Sequence, residues 1–165
     1  MKIVFRLVLV IAVAALGFWL WTVFFPSPEK VILKRISSLA ATATFNANDG
    51  NLTRAAKATS LVDYFSPDAE IVLDGSDLGN RTLSGRDEIR ETTLGVFGGL
   101  KMLKVQFLDV TVRVGADAQT ADVNCTAKVN TGDSKDYGVQ ELHFQLKKVD
   151  GHWLITRVET VKTLS

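Results

Sequence analysis

The stretch FSPDAEIVLDG, residues Phe65 to Gly75, places a carboxylate at the end of an expected strand. A Ser-Pro-Asp break precedes alternating apolar residues that run up to Asp74. A carboxylate held beside a pocket can act as a general base. An Asp-Gly pair also ends strands because both residues favour turns. Asp74 is therefore either a catalytic base or part of a turn, and the surrounding elements decide between the two.

Two charged residues near the C-terminus are the next candidates. Arg157 and Glu159 follow Trp153 and Ile155 at every second position, so regular strand alternation puts all four on one face. Buried charges have to be paired or neutralised. The two side chains are therefore expected either to form an ion pair that lines a pocket or to reach its solvent-exposed rim.

The other reactive residue types predict no further site. His143 alternates with Glu141 and Gln145 opposite apolar positions, so we expect it on the outer face of the sheet. The single cysteine, Cys125, shares a strand face with Val123 and is expected to be a buried, unreactive thiol. Two histidines without acidic residues at ligand spacing predict no metal site. We expect no cofactor.

Three helices should support these residues. Ser27 is the expected N-cap of the first helix, with Pro28 at its first position. Asn51 is the expected cap of the second helix, whose buried side should begin at Leu52. The third should start at Ser84, with Asp87 completing a capping box. The helical patterns cover residues 28–44 and 52–65 and a short stretch after residue 84.

The remaining pattern has a period of two and predicts strands. After the strand at 69–74, four long strands should follow, joined by tight turns such as Asp150-Gly151. Strands with one apolar face need helices to cover that face. We therefore predict an α+β domain in which a curved antiparallel sheet wraps over three helices. The four strands are expected at residues 101–114, 119–130, 139–149 and 152–163.

Composition excludes one large class of partners. The chain has 165 residues, enough for one domain, and carries 19 Lys plus Arg against 18 Asp plus Glu. A charge so nearly balanced predicts no nucleic-acid partner.

The N-terminal segment Leu7–Phe25 has nineteen residues of which only Thr22 is polar. That length matches a helix crossing a hydrocarbon core of roughly 30 Å. A cleaved signal peptide is the alternative, since Ala15 and Gly17 offer a cleavage site, but cleavage would leave FWLWTVFF exposed. We favour an uncleaved single-pass anchor in the cell membrane, with the C-terminal domain outside the cytoplasm. Residues 1–27 are then the anchor and linker, and 28–165 the domain.

Three stretches in this order resemble the nuclear transport factor 2-like superfamily and its SnoaL-like branch. They are YFSPDAEIVLDG, LSGRDEI at the start of the third helix, and KKVDGHWLITRVET as the closing hairpin. The resemblance implies a cone-shaped fold whose open end forms a pocket. It also implies a homodimer through the outer sheet face.

The resemblance gives Asp74 a specific hypothetical role. In ketosteroid-isomerase-like members, a strand carboxylate near this position is the general base, and a tyrosine on the first helix stabilises the oxyanion. This chain has no tyrosine on its first helix, and Tyr64 is the nearest candidate. Without that partner, Asp74 is the weaker candidate for a base and the stronger one for a turn.

Two functions follow as hypotheses. The favoured one is a membrane-anchored module that binds a small apolar ligand or assembles with a protein partner, without catalytic machinery. The alternative is an isomerase, dehydratase or cyclase acting on a small apolar substrate, with Asp74 as general base. The residues expected to line the ligand pocket are Arg157, Glu159, Trp153 and Phe97.

Overall fold

A computed structural model describes residues 11–17, 27–74, 80–132 and 137–161 of the chain. Three helices lie on a curved sheet in these ranges, which confirms the predicted α+β cone. The helices are α1 (Pro28–Ala43), α2 (Asn51–Val62) and α3 (Gly85–Gly99). The strands are β1 (Phe65–Leu73), β2 (Arg81–Ser84), β3 (Lys104–Val114), β4 (Thr120–Asn130), β5 (Gly138–Val149) and β6 (His152–Val161).

The six strands form one sheet in the order β2-β1-β6-β5-β4-β3. All neighbours are antiparallel except β1 and β6, which run parallel. The expectation of a purely antiparallel sheet was therefore wrong at this one pair. Strand β2 is not among the predicted strands, because its four residues are too few to show an alternating pattern.

Helix α1 covers the inner face of the sheet. Ile32, Ile36 and Leu39 are at most 5% exposed and join the buried side chains of Phe144 and Ile155 in the main core. Their spacing of three to four residues places them on one stripe of the helix, as predicted. Burying an aliphatic side chain of this size contributes roughly 1.5–3 kcal/mol, so this stripe holds α1 on the sheet.

Helix α2 differs from the prediction in its buried side. It begins at Asn51 after Gly50 as N-cap, and Leu52 is 85% exposed. The buried residues are Ala58 and Val62, one turn apart. Ala58 belongs to a second, smaller cluster with Phe45, Phe97 and Leu103. Leu52 lies in the first turn, beyond the edge of the surface that α2 covers.

Helix α3 starts where expected but is capped differently. Ser84 is the N-cap residue, and its backbone N–H donates to the Glu88 carboxylate at 2.8 Å. Asp87, which should have completed the capping box, instead accepts from Arg90 at 2.9 Å. Gly85 takes φ of +81°, a conformation that costs glycine little, and this turn brings Glu88 rather than Asp87 back to Ser84.

A bulge in β6 changes which side chains face the core. Gln145 of β5 pairs with Arg157, and the next residue, Leu146, pairs with Ile155, so Thr156 has no partner. The extra residue shifts the alternation by one position. Val158, at 7% exposed, therefore continues the buried face of Ile155. The expectation that Arg157 and Glu159 share the face of Trp153 was wrong.

Strand β3 contains a second bulge with the same effect. Leu108 pairs with Thr126 and Thr111 with Asn124, so two residues of β3 oppose Cys125 alone. Asp109 takes φ of +53° there. Leu108, which regular alternation would place on the same face as Val110, is consequently 44% exposed. Such bulges bend the strand and increase its twist, which favours a curved sheet.

The predicted anchor is described only in part. Residues 11–17 are helical and exposed, and the rest of Leu7–Phe25 lies outside the described residues. Across the described ranges, no helix is both long and apolar enough to cross a membrane.

Candidate functional site

A groove lies where α1, the end of α2 and the β5–β6 turn meet. Its volume is about 500 Å³, within the usual range for small-molecule sites, and it is open to solvent. The groove is lined by Val31, Lys34, Arg35, Ser38, Thr42, Ser60, Asp63, Tyr64, Gly151, His152 and Trp153.

Helix α1 provides one wall of the groove. Val31, Arg35, Ser38 and Thr42 follow each other at three or four residues and therefore form a stripe. This polar stripe lies beside the buried stripe of α1. When the buried stripe packs on the sheet, the polar stripe faces the groove. Thr42 at its far end bonds to the Tyr64 hydroxyl, with 3.1 Å between the oxygens.

Tyr64 forms the floor together with Arg35. The Arg35 guanidinium carbon lies 4.9 Å from the centre of the Tyr64 ring, a cation–π contact. Arg35 Nη2 also donates to the Asp63 carbonyl at 2.9 Å. The Tyr64 carbonyl accepts from the Ile155 N–H at 2.9 Å, which ties the floor to β6. The aromatic ring and the cation are thus held together by three elements.

The β5–β6 turn closes the other side. Val149 pairs with His152 across the two-residue turn Asp150-Gly151, and both turn residues have positive φ, of 49° and 82°. This is the type I′ geometry that Asp-Gly favours. The turn sets Trp153 with 2% of its surface exposed at the inner edge of the groove.

The groove has more cationic than anionic lining groups. Lys34 and Arg35 line it, against the single carboxylate of Asp63. Burial lowers the pKa of Arg35 from its ordinary value, while the nearby Asp63 opposes that shift. Because the pKa of an arginine side chain lies far above neutral pH, Arg35 remains charged. Since Arg35 makes one hydrogen bond within the described residues, most of its five donors are unused there.

The structure does not bring Asp74 and Tyr64 together. Tyr64 precedes β1 and Asp74 follows it. Their hydrogen-bond partners on β6 are Ile155 and Thr160, which are five residues apart, so about 16 Å of strand separates the two ends. At its own end, Asp74 exchanges backbone bonds with the Thr160 hydroxyl, at 2.8 and 2.9 Å. The two residues cannot serve one substrate as base and oxyanion donor in this geometry, and a catalytic role for Asp74 stays a prediction.

Arg157 and Glu159 form an ion pair, but outside the groove. Arg157 donates to Glu70 at 2.7 Å and to Glu159 at 3.1 Å. All three side chains are more than a third exposed, on the outer face of the sheet. Pairs this exposed contribute roughly 0–1 kcal/mol each. Their effect is mainly to join β1 to β6 at the parallel pair.

Phe97 lies in the second hydrophobic cluster, where its ring centre is 4.9 Å from that of Phe45. Of the four residues predicted to line a ligand pocket, only Trp153 lines the groove described above. His143 lies on the outer face as expected, with Nδ1 2.8 Å from Asn124 Oδ1 and Nε2 3.2 Å from Asp122 Oδ1.

Cys125 is a core residue. It is 5% exposed, and burial raises the pKa of its thiol to about 11. Such a thiol is a poor nucleophile near neutral pH. Within the described ranges, no three His, Cys, Asp or Glu side chains lie close enough together to hold a metal ion.

Sequence reasoning missed the groove-lining residues Lys34, Arg35 and Thr42. The signal was present in α1, where a polar stripe containing two adjacent basic residues runs beside the buried stripe. A helix pattern shows which residues face away from the core. The opposite wall of the groove, however, is the turn between β5 and β6, more than a hundred residues later in the chain.

Comparison with known proteins agrees with the fold. Residues 40–159 match the model of the SnoaL-like domain family. A search of curated protein sequences gives no match. An NTF2-like protein with a cystatin-like fold from Novosphingobium aromaticivorans superposes with a TM-score of 0.63 at 20% identity, over 80% of this chain and 79% of that chain.

Two further structures from the same organism carry enzyme names. One, provisionally named a scytalone dehydratase, has a TM-score of 0.61 at 16% identity over 82% of this chain and 84% of its own. The other, provisionally named an aromatic ring hydroxylase, has a TM-score of 0.62 at 17% identity over 82% and 88%. At these identities the likeness shows the fold alone.

Proposed function

This chain belongs to the SnoaL-like domain family, and from that premise we propose that it is a binding module for a small anion carrying an aromatic or short aliphatic group. The observation that carries the proposal is the Arg35 guanidinium stacked on the Tyr64 ring inside the groove. A cation provides the recognition of the anion, and the aromatic surface provides the affinity for the apolar part.

The donors of Arg35 support this assignment. Nε is buried without a hydrogen-bond partner among the described residues, and Nη2 is used by the Asp63 carbonyl. A ligand oxygen would therefore be bound through Nη1 or through the second N–H of Nη2. The hydroxyls of Ser38 and Ser60, which line the same groove, can supply further donors.

Binding fits the groove better than catalysis. The inner face of the sheet, where an enclosed active site would lie, is filled by core side chains such as Trp153, Phe144 and Ile155. The groove itself is open to water, and acid–base chemistry gains most in a water-excluded site. We propose that residues 7–25 hold this module at a membrane, as their length and apolarity predict.

Calorimetric titration of the full chain with 2-naphthoate and with uncharged 2-naphthamide tests the proposal. We expect 2-naphthoate to bind more tightly. A hydrogen bond to a charged group is worth about 1.5–3 kcal/mol, so Arg35→Gln should weaken 2-naphthoate binding roughly 10- to 100-fold. Arg90→Gln, which removes the same charge from an exposed site paired with Asp87, is the control and should have no effect.

Two results would contradict the proposal. One is equal affinity for the acid and the amide, which would mean that no cation recognises the ligand. The other is unchanged 2-naphthoate binding in Arg35→Gln, which would place the anion elsewhere.

A further inference from the structure

The groove lies directly after the predicted membrane segment. Its first lining residues, Val31, Lys34 and Arg35, belong to the first two turns of α1, which begins at Pro28. Two residues, Pro26 and Ser27, connect Phe25 to Pro28, so the three Cα–Cα steps span at most about 11 Å of extended chain. Arg35 lies seven residues further along a helix that rises about 1.5 Å per residue. An anchor ending at Phe25 would therefore keep Arg35 within about 21 Å of the hydrocarbon boundary.

The start of α1 has the composition of a membrane-facing surface. Lys30 and Lys34 are exposed, and they are accompanied by Val31 at 38% and Leu33 at 41% exposure. Glu29 is the only acidic residue of the helix. Basic side chains that alternate with exposed apolar ones favour the interface of an anionic bilayer, where charges contact headgroups and apolar groups contact the acyl boundary.

We infer that the ligand of the groove is the anionic headgroup of a membrane lipid, bound by Arg35 and Lys34. This inference rests on the proposed function of the groove and on the proposed anchor. A phosphate-bearing headgroup supplies the negative charge, and the glycerol carbons next to the phosphate are the short aliphatic group of the proposed ligand. The tether supplies it at high local concentration, so an open and shallow groove suffices for binding.

Trp153 provides the signal that tests the inference. The chain has 3 tryptophans, and two of them, Trp19 and Trp21, lie in the apolar segment. A full-length Trp19→Phe/Trp21→Phe variant leaves only Trp153, at the edge of the groove. It is reconstituted into phosphatidylcholine vesicles that contain a headgroup spin-labelled quencher and increasing fractions of phosphatidylglycerol.

We expect quenching of Trp153 to rise with phosphatidylglycerol and to saturate. In Lys34→Gln/Arg35→Gln the half-saturating fraction should increase roughly 25-fold or the response should disappear, since each basic residue near an anionic surface changes binding about fivefold. The control Arg90→Gln/Lys104→Gln removes the same two charges from exposed positions outside the groove and should respond like the parent.

Inorganic phosphate added to pure phosphatidylcholine vesicles separates the two sources of an anion. If phosphate alone reproduces the full change in Trp153 emission and phosphatidylglycerol adds nothing, the site takes a free anion and the lipid inference is overturned. If neither changes the emission while 2-naphthoate still binds, the lipid inference fails and the proposed function stands. If 2-naphthoate binding is also absent, both fail.

Discussion

Deletion of Thr156 should leave the buried face of β6 unchanged. Thr156 is the unpaired residue of the bulge, with Ile155 and Arg157 paired to adjacent residues of β5. Removing it converts the bulge into regular pairing without moving either half of the strand. Ile155 and Val158 would still face the core, and Arg157 would still face Glu70. A strand that tolerates the loss of a central residue is otherwise unusual, because a one-residue slip turns every following side chain to the other face.

The expected cost is small and can be worked from the contacts. Thr156 loses one hydrogen bond, from its hydroxyl to the Gln145 carbonyl at 3.1 Å, at an exposed position. Such a bond contributes about 0.5–1.5 kcal/mol. Removing the local twist of the bulge adds some strain, so we expect a total loss of roughly 1–2 kcal/mol.

Deletion of Leu154 is the matched control. Leu154 is also a single residue of β6, but it is paired with Lys147. Its loss slips the start of the strand by one position and turns Trp153 out of the core. Trp153 is 2% exposed, and losing a buried aromatic side chain costs roughly 3–5 kcal/mol.

Urea denaturation followed by far-ultraviolet circular dichroism measures both deletions. The Thr156 deletion should lower the midpoint with an unchanged m-value, since the buried surface is conserved. The Leu154 deletion should lower it far more or prevent folding. Equal destabilisation by the two deletions would refute the bulge as the reason why Arg157 and Glu159 face outward.

Three other predictions follow from the core and the turns. Ile155→Ala, at a site with 0% exposure, should lower the free energy of unfolding by about 2–5 kcal/mol in urea denaturation. Hydrogen bonds lower the pKa of the Asp117 carboxyl, and the largest effect comes from the backbone N–H of Gln119. The ionised carboxylate therefore stabilises the fold at pH values above its unfolded-state pKa. Asp117→Ala should therefore lower the thermal midpoint at pH 7, and the difference should vanish as the pH falls through the folded pKa. Cys125 should react with a thiol reagent at pH 8 only on unfolding, because its folded pKa is about 11.

The helices and long strands were predictable because each has one buried side with a regular period. The buried stripe of α1 at Ile32, Ile36 and Leu39 is the clearest case. The faces beyond the two bulges were not predictable. Thr156 and Arg157 are two consecutive polar residues between Ile155 and Val158, but neither residue type marks which of them is the extra one. The bulge is specified by how β6 pairs with β5 and β1, which are contacts between distant parts of the chain.

The bulge in β6 also explains the error at Arg157 in the candidate site. Trp153 precedes the bulge, and it is buried on the face that the alternation assigned to it. Arg157 follows the bulge, and its predicted position was inverted. Tyr64 was named as the partner of Asp74 because the first helix has no tyrosine and Tyr64 is the nearest candidate. A strand, however, separates the residues at its two ends by its full length.

Charge and aromatic surface meet in this groove because two independent features coincide. The polar stripe of α1 carries Lys34 and Arg35, and the type I′ turn after β5 brings Trp153 against that stripe. Neither feature is needed for the cone itself, since the buried stripe of α1 would hold the helix with any polar residues beside it. A stability experiment at Arg35 should therefore show little change, whereas a binding experiment should show a large one. That separation distinguishes a recognition residue from a structural residue, and it makes Arg35 the decisive position for the function proposed above.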